Sequence, residues 1–453
     1  MTYAIDLTSW VILMWFVGFC LKQAWNSFLG WRDKNFVLSH EKTALEEVTS
    51  VHSCAKDFFT QEKLNKSMEY ERTCDAFGSF RGKISNLVSI GFLAFGLFPF
   101  VFSLFSVSLG WHFIFAFIAT SVILSIASTV ISIPFSYYNN FSLEEKFGFN
   151  MMTKKTFWTD IVKEEAISFV LSSIMIGLLF GIIEAIHCFY GPIDILAAFA
   201  ISIVGSCSSM ILEVVQLKVL MPLFNKFTPL EDGELKTRAE ELLKKFGYDP
   251  AGVYVMDASR RTRHSNAYCS GWGKAKKLIL FDTLLKDFTT DEVIAILGHE
   301  LAHAKLHHLI YDRALEFAKD FVFNALAIMM IYNPALYTAF GWNMVNSSNV
   351  AGFALVGFIL FQKLFDSWSW IFEGVESYLS RLMEFAADKY SCIYTKTVDP
   401  MVTSLFKLYG ENLSFPLTDP WYEAWNFSHP SLINRTKAIM SIGKECKEQE
   451  MAS

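Results

Sequence analysis

The stretch Leu297–His308, read L-G-H-E-L-A-H-A-K-L-H-H, concentrates the residues able to do chemistry. Residues four apart share a helix face, so His299 and His303 can present two imidazole nitrogens to one cation, with Glu300 beside it. In this H-E-x-x-H arrangement zinc takes the two histidines, while the glutamate, itself no ligand, removes a proton from water. A solvated helix that merely carries histidines is the plainer reading. Glu300 argues against it, because a charge inside an apolar helix is costly without a task. The preceding run, Thr290-Asp-Glu-Val-Ile-Ala-Ile-Leu-Gly, offers an N-cap, two acidic first-turn residues and an apolar face, so a helix is expected.

Two histidines need at least a third ligand. Metzincin spacing would place a histidine six residues after His303, where Leu309 stands, so that class is excluded. On a continuing helix His307 lies a turn beyond His303, and both His307 and His308 are expected at an interface or in solvent. That leaves a glutamate from elsewhere, with an aspartate four residues on to accept the other ring N–H of a ligating histidine. The E-x-x-x-D pattern occurs at Glu71/Asp75, Glu316/Asp320 and Glu384/Asp388. Glu71 falls in a charged loop that reads as solvated surface. Glu316, on a helix continuous with His303, would lie about 20 Å along the axis. Glu384, on a separate amphipathic helix, is therefore the expected third ligand and Asp388 its supporting neighbour. In Ser428-His-Pro-Ser-Leu-Ile-Asn-Arg435, His429 and Arg435 fit the need for donors to a developing oxyanion, although a Ser-His-Pro turn also caps helices.

The elements that must position these residues sit in an unusual chain. Of 453 residues 53% are hydrophobic, 44 are Phe and only 19% are charged, and none is charged between Lys83 and Glu144, a gap long enough for two bilayer crossings. Seven apolar runs of spanning length appear: 7–29, 84–105, 111–133, 166–186, 193–220, 321–340 and 350–371. Glu184, Glu213, Lys218, Lys363 and Asp366 fall within them, where a cavity lining or a structural ion pair would hold them. The net charge of -6 comes without basic or acidic blocks, so no nucleic-acid partner is indicated. Eight scattered cysteines without a C-x-x-C pair read as reduced thiols. The first run has no preceding Lys or Arg and reads as a retained helix.

Lys and Arg crowd residues 22–83, 146–163, 218–319 and the C-terminal tail, which places those segments in the cytosol and the N-terminus on the far side. The expected organisation is helices one to five with their loops in 1–223, a cytosolic protease segment in 224–313, helices six and seven in 314–372, and a C-terminal segment supplying the third ligand in 373–453. Within the protease segment Val253–Asp257, Ser265–Gly271 and Lys277–Asp282 are β-rich, and a small antiparallel meander is expected. Its edge could hold an extended peptide, with Asn266 adding a contact, or Asn266 could simply favour a turn.

Six ordered stretches together resemble the type I CAAX prenyl endoproteases: Pro134–Tyr138 with Leu143–Asn150, Phe224–Leu235, His264–Tyr268, His299–His303, Glu384–Asp388 and Ser428–Leu432. The resemblance runs over most of the chain. It implies an all-α polytopic fold of seven transmembrane helices around a cavity, a small cytosolic β meander, and one zinc ion facing inward. It implies zinc on His299, His303 and Glu384, base duty for Glu300, and substrate or transition-state contacts from Asn266, His429 and Arg435. The implied substrates are prenylated CAAX proteins cut just after the modified cysteine, in the endoplasmic reticulum and nuclear membranes among membrane lipid. A second upstream cut and service to clogged translocons are further properties of the family. This sequence departs from the family pattern at Ala302 and Ala304, where Gly and Trp are usual, and at Ala386, where Gln is usual, and keeps every ligand and the base. A related quality-control protease without prenyl requirement would carry about four spans. A structural zinc site in a seven-span scaffold would be closed by four ligands and rich in cysteine.

Overall fold

The computed structural model describes residues 6–191, 194–249, 252–270, 277–342 and 350–452. Ile193 in the expected fifth span, Gly271 in the expected second β run, and 343–349 between the expected sixth and seventh spans lie outside the described residues.

Helix α1 (Trp10–His40) opens the chain, and α2 (Gln61–Ala94) bends by 49° into Leu97–Ser108, with Gly96 at φ 55° in the break. Helices α3 (Phe113–Tyr138), α4 (Lys154–Phe189) and α5 (Ile195–Val215) follow, the last two capped by Thr153 and Asp194 side chains that accept first-turn N–H groups. Next come β1 (Phe227–Pro229), α6 (Glu234–Phe246), β2 (Val253–Met256), β3 (Ala267–Ser270), β4 (Lys277–Phe281) and α7 (Thr290–Lys305). The chain ends with α8 (His308–Ile331), α9 (Val350–Asp366), α10 (Trp370–Thr395), α11 (Asp399–Glu411) and α12 (Leu432–Ala452).

The protein is a mostly helical, multi-span membrane protein, and its helices differ from seven equal crossings. Among the described residues, three are individually long and apolar enough to span: Phe113–Phe147, Lys154–Phe189 and Ile195–Phe224. The second and seventh expected runs are bent pairs, α2 with Leu97–Ser108 and α9 with α10, the latter bent by 70°. Most of the first run lies in α1, which carries Lys22 within the run and Arg32, Asp33 and Lys34 just beyond it. The sixth straddles two helices: Asn333 accepts the Ala335 N–H and Pro334 opens a new helix, so α8 stops before the run is complete.

The sheet corrects the antiparallel meander. Strand order is β1-β2-β4-β3, with β2 parallel to β4 and the other pairs antiparallel. The segment joining β2 to β3 explains this. Arg261 O accepts the Met151 N–H, Arg263 N–H donates to Phe149 O, and Thr262 bridges Asn150, so the chain is held away from β2 and returns beyond β4. An additional strand, β1, forms outside the three expected β runs.

One face of this sheet packs on α7. Leu278, Leu280, Val253 and Ala267 meet Leu297, Leu301 and Ala302, with Ala387 of α10 completing the cluster. Helix α7 begins one residue earlier than the sequence suggested, with Thr289 as N-cap and Glu292 closing a capping box. Gly298 then lets α10 approach. A Cβ there would stand 2.7 Å from Ser391 Oγ and 3.0 Å from Thr395 Cγ2, while Ser391 Oγ donates to Ala295 O at 2.8 Å.

Candidate metal centre

The α9–α10 bend and the α7–α10 approach bring Glu384 against the H-E-x-x-H face. His299 Nε2 and His303 Nε2 stand 3.1 Å apart, His299 Nε2 is 3.4 Å from Glu384 Oε2, and His303 Nε2 is 3.2 Å from Glu384 Oε1. The three ligand atoms lie within 4.8 Å of one another, the one such His/Cys/Asp/Glu cluster among the described residues.

The donor set suits a cation. Asp388, fully buried, has Oδ1 2.9 Å from His299 Nδ1, which places the His299 proton on Nδ1 and turns the Nε2 lone pair toward His303 and Glu384. Glu384 Oε2 is buried without a hydrogen bond, an expensive orphan unless a positive group meets it. His429 Nδ1 comes within 2.8 Å of that oxygen but off the hydrogen-bond line. Burial works against charge on His299, yet Asp388 and Glu384 outweigh it and push its pKa up to about 9. The pocket demands positive charge at neutral pH.

Behind the cluster, Arg435 at the start of α12 is buried and grips Asp388 with Nε at 2.9 Å and Nη2 at 2.6 Å. Its Nη1 is 3.6 Å from Glu384 Oε2. This two-pronged pairing orients Asp388 and, through it, His299. His429, in the turn before α12, exposes 66% of its side chain and is open to a substrate. Glu300 is half-buried, and its carboxylate makes no hydrogen bond or ion pair among the described residues. Asn266 is exposed at the start of β3, and its Oδ1 accepts the Ala267 N–H.

Some positions differ from expectation. The first E-x-x-x-D pair is not solvated: Glu71 is half-buried and accepts the Phe415 N–H at 2.8 Å. Glu316 pairs with Arg313, away from the cluster. His307 is exposed as expected, but His308 is buried, with Nδ1 2.9 Å from His303 Nδ1. Helix α7 ends there: His307 adopts φ 58°, and α8 restarts at His308. His264 was legible only as part of a run. It contacts Glu144 at 3.3 Å and Asn412 at 3.1 Å and stacks on Phe149, tying the β2–β3 connection to the α3 end and to α11.

Two protein families match consecutive stretches of the chain. Residues 43–226 match the profile described as CAAX prenyl protease N-terminal, five membrane helices, and residues 229–442 match peptidase family M48. The CAAX prenyl protease 1 of Saccharomyces cerevisiae is 30% identical over 424 residues, covering 88% of this chain and 90% of its own. This chain belongs to the CAAX prenyl protease 1 family. The probable CAAX prenyl protease 1 of Schizosaccharomyces pombe is 36% identical over 70% of this chain and 64% of its own. The crystal structure of S. mikatae Ste24p superposes with a TM-score of 0.82 at 27% identity, over 96% of this chain and all of that one. As a CAAX prenyl protease 1 family member, the protein is a membrane metallopeptidase, and the His299–His303–Glu384 cluster is its candidate metal centre.

Proposed function

We propose that this protein is a zinc endopeptidase that cuts prenylated CAAX proteins just after the prenylated cysteine, releasing the C-terminal tripeptide. The observation that carries this is the convergence of two imidazole nitrogens and a buried carboxylate within 4.8 Å, with Glu300, next in sequence to His299, making no hydrogen bond or ion pair among the described residues. His299, His303 and Glu384 hold one zinc ion per chain. When bound, zinc supplies Lewis acidity, polarising the scissile carbonyl and making water more acidic.

The remaining work belongs to the chain's own side chains. Glu300 takes a proton from the attacking water and returns it to the leaving amine. His429 donates to the substrate oxygen as negative charge develops, and Arg435 adds fixed positive charge from behind. Asp388 and Arg435 hold His299 in one tautomer. Asn266, at the open start of β3, accepts or donates to the backbone of a peptide laid along the sheet.

Seven spans around a cavity suit the packing. The apolar windows of α3, α4 and α5 are only 17%, 6% and 22% buried, less than the apolar stripe a close-packed helix covers. Walls with lipid outside and a cavity inside would bury that little. The Lys and Arg distribution supports a cytosolic C-terminus and protease segment and a far-side N-terminus, and the family resemblance supports residence in the endoplasmic reticulum membrane.

The test is the rate of cleavage of matched farnesylated and unmodified C-terminal peptides by protein of measured zinc content. One zinc per chain with preference for the farnesylated peptide supports the proposal. Equal cleavage of both peptides would point to a protease without prenyl selectivity.

A further inference from the structure

We infer that His308 is a positioning residue for the second histidine of the metal centre, accepting the Nδ1–H of His303 as Asp388 accepts that of His299. The inference rests on the metal-ligand reading above and adds a residue to it. For His303 to turn a lone pair at Nε2 toward His299 and Glu384, its proton must sit on Nδ1. On a side chain only 27% exposed, that ring N–H then needs an acceptor. The group placed to accept it is His308 Nδ1, at 2.9 Å, with the two rings near perpendicular at 78°.

The backbone is built to deliver it. A continuous helix would carry residue 308 five positions past His303, pointing away from it. The left-handed turn at His307, φ 58°, ends α7 and reorients the chain, so His308 begins α8 with its ring folded back and buried. A non-glycine residue in that conformation is strained, and the strain is spent where it brings one imidazole onto another.

The two histidines are thereby held unequally. His299 is backed by a carboxylate itself clamped by Arg435, whereas His303 is backed by an imidazole. A carboxylate acceptor raises the donor strength of its histidine more than a neutral ring does. His303 is accordingly the weaker-held ligand, and its orientation depends on His308.

The experiment is zinc affinity by chelator competition, with the cobalt(II) absorption spectrum as a second readout, on detergent-purified full-length protein. His308→Leu keeps apolar bulk and removes the acceptor. His308→Asn places an amide oxygen one bond from Cγ, where Nδ1 stands. His307→Ala is the neighbouring control. The expected result is zinc affinity about 10- to 100-fold weaker in H308L with a shifted cobalt spectrum, and near wild type in H308N and H307A. H308L binding zinc as tightly as wild type, or H308N losing as much as H308L, overturns the inference. If H308L does not fold, H308Q, whose amide lies one carbon further out, takes its place under the same two criteria. Wild-type protein that binds no zinc would instead overturn the metal-centre reading beneath it.

Discussion

At the residue scale, the division of labour between Glu384 and Glu300 is written in their surroundings. Glu384 is buried among His299, His303 and Arg435, a place for a carboxylate that holds a cation. Glu300 follows His299 in sequence and is half-buried, with its oxygens unpartnered among the described residues, a place for one that exchanges protons. Glu300→Gln is therefore expected to keep zinc content and lose turnover by about 10²- to 10⁴-fold, measured as peptide cleavage against metal analysis of the same sample. Retained cleavage would remove Glu300 from the mechanism. His264 gives a pH-dependent stability. Burial opposes its charged form, but the contacts with Glu144 and Asn412 outweigh burial and raise its pKa above the ordinary 6.5. Its contribution is complete below that value and is lost as pH rises through the higher folded pKa. The stability difference between wild type and His264→Gln, followed by denaturant unfolding from pH 6 to 9, should shrink with rising pH. A difference that grows would contradict the assignment. The H-E-x-x-H spacing made His299, Glu300 and His303 legible in sequence, and the E-x-x-x-D spacing made Glu384 and Asp388 so. The contact of His308 with His303 was hidden because it depends on a left-handed turn at a histidine, which carries none of the Gly or Asn signal that marks such turns.

At the element scale, the site depends on how closely α7 and α10 pass. Gly298 is the enabling residue, since any Cβ would press on Ser391 Oγ, which is committed to Ala295 O. Gly298→Ala should cost about 1–3 kcal/mol in stability by overpacking and lower zinc affinity, because Glu384 rides on α10. Chelator competition and denaturant unfolding read both effects. Unchanged zinc affinity would mean that the approach is not what seats Glu384. The helices around the site were foreseeable from apolar periodicity and caps, and the three β runs from their β-branched and aromatic content. Their pairing was not, because the order β1-β2-β4-β3 is decided by the contacts of 261–263 with 149–151, more than a hundred residues away. No local pattern records such a contact.

At the scale of the whole molecule, the chemistry is assembled from distant stretches: α7 gives two histidines, α10 the glutamate and its aspartate, and α12 the arginine that grips it. A zinc ion bound there would staple these elements in the native state and would find no such cluster in the unfolded chain. Zinc at a hundred times its Kd should then raise stability by about 2.7 kcal/mol, seen as a higher thermal midpoint that Glu384→Ala fails to show. An equal rise in that variant would place the stabilising zinc elsewhere. Sequence conveyed the membrane character, because charge-free runs have one physical reading, but broken helices such as α2 and α9–α10 look like single spans to a hydropathy count. The central claim is metal-dependent cleavage at one bond. Mass spectrometry of a farnesylated C-terminal peptide incubated with the purified protein tests it most directly. The account predicts a farnesyl-cysteine terminus and a free tripeptide, both abolished by a chelator and restored by zinc. Cleavage at another bond, or cleavage that persists through chelation, would contradict it.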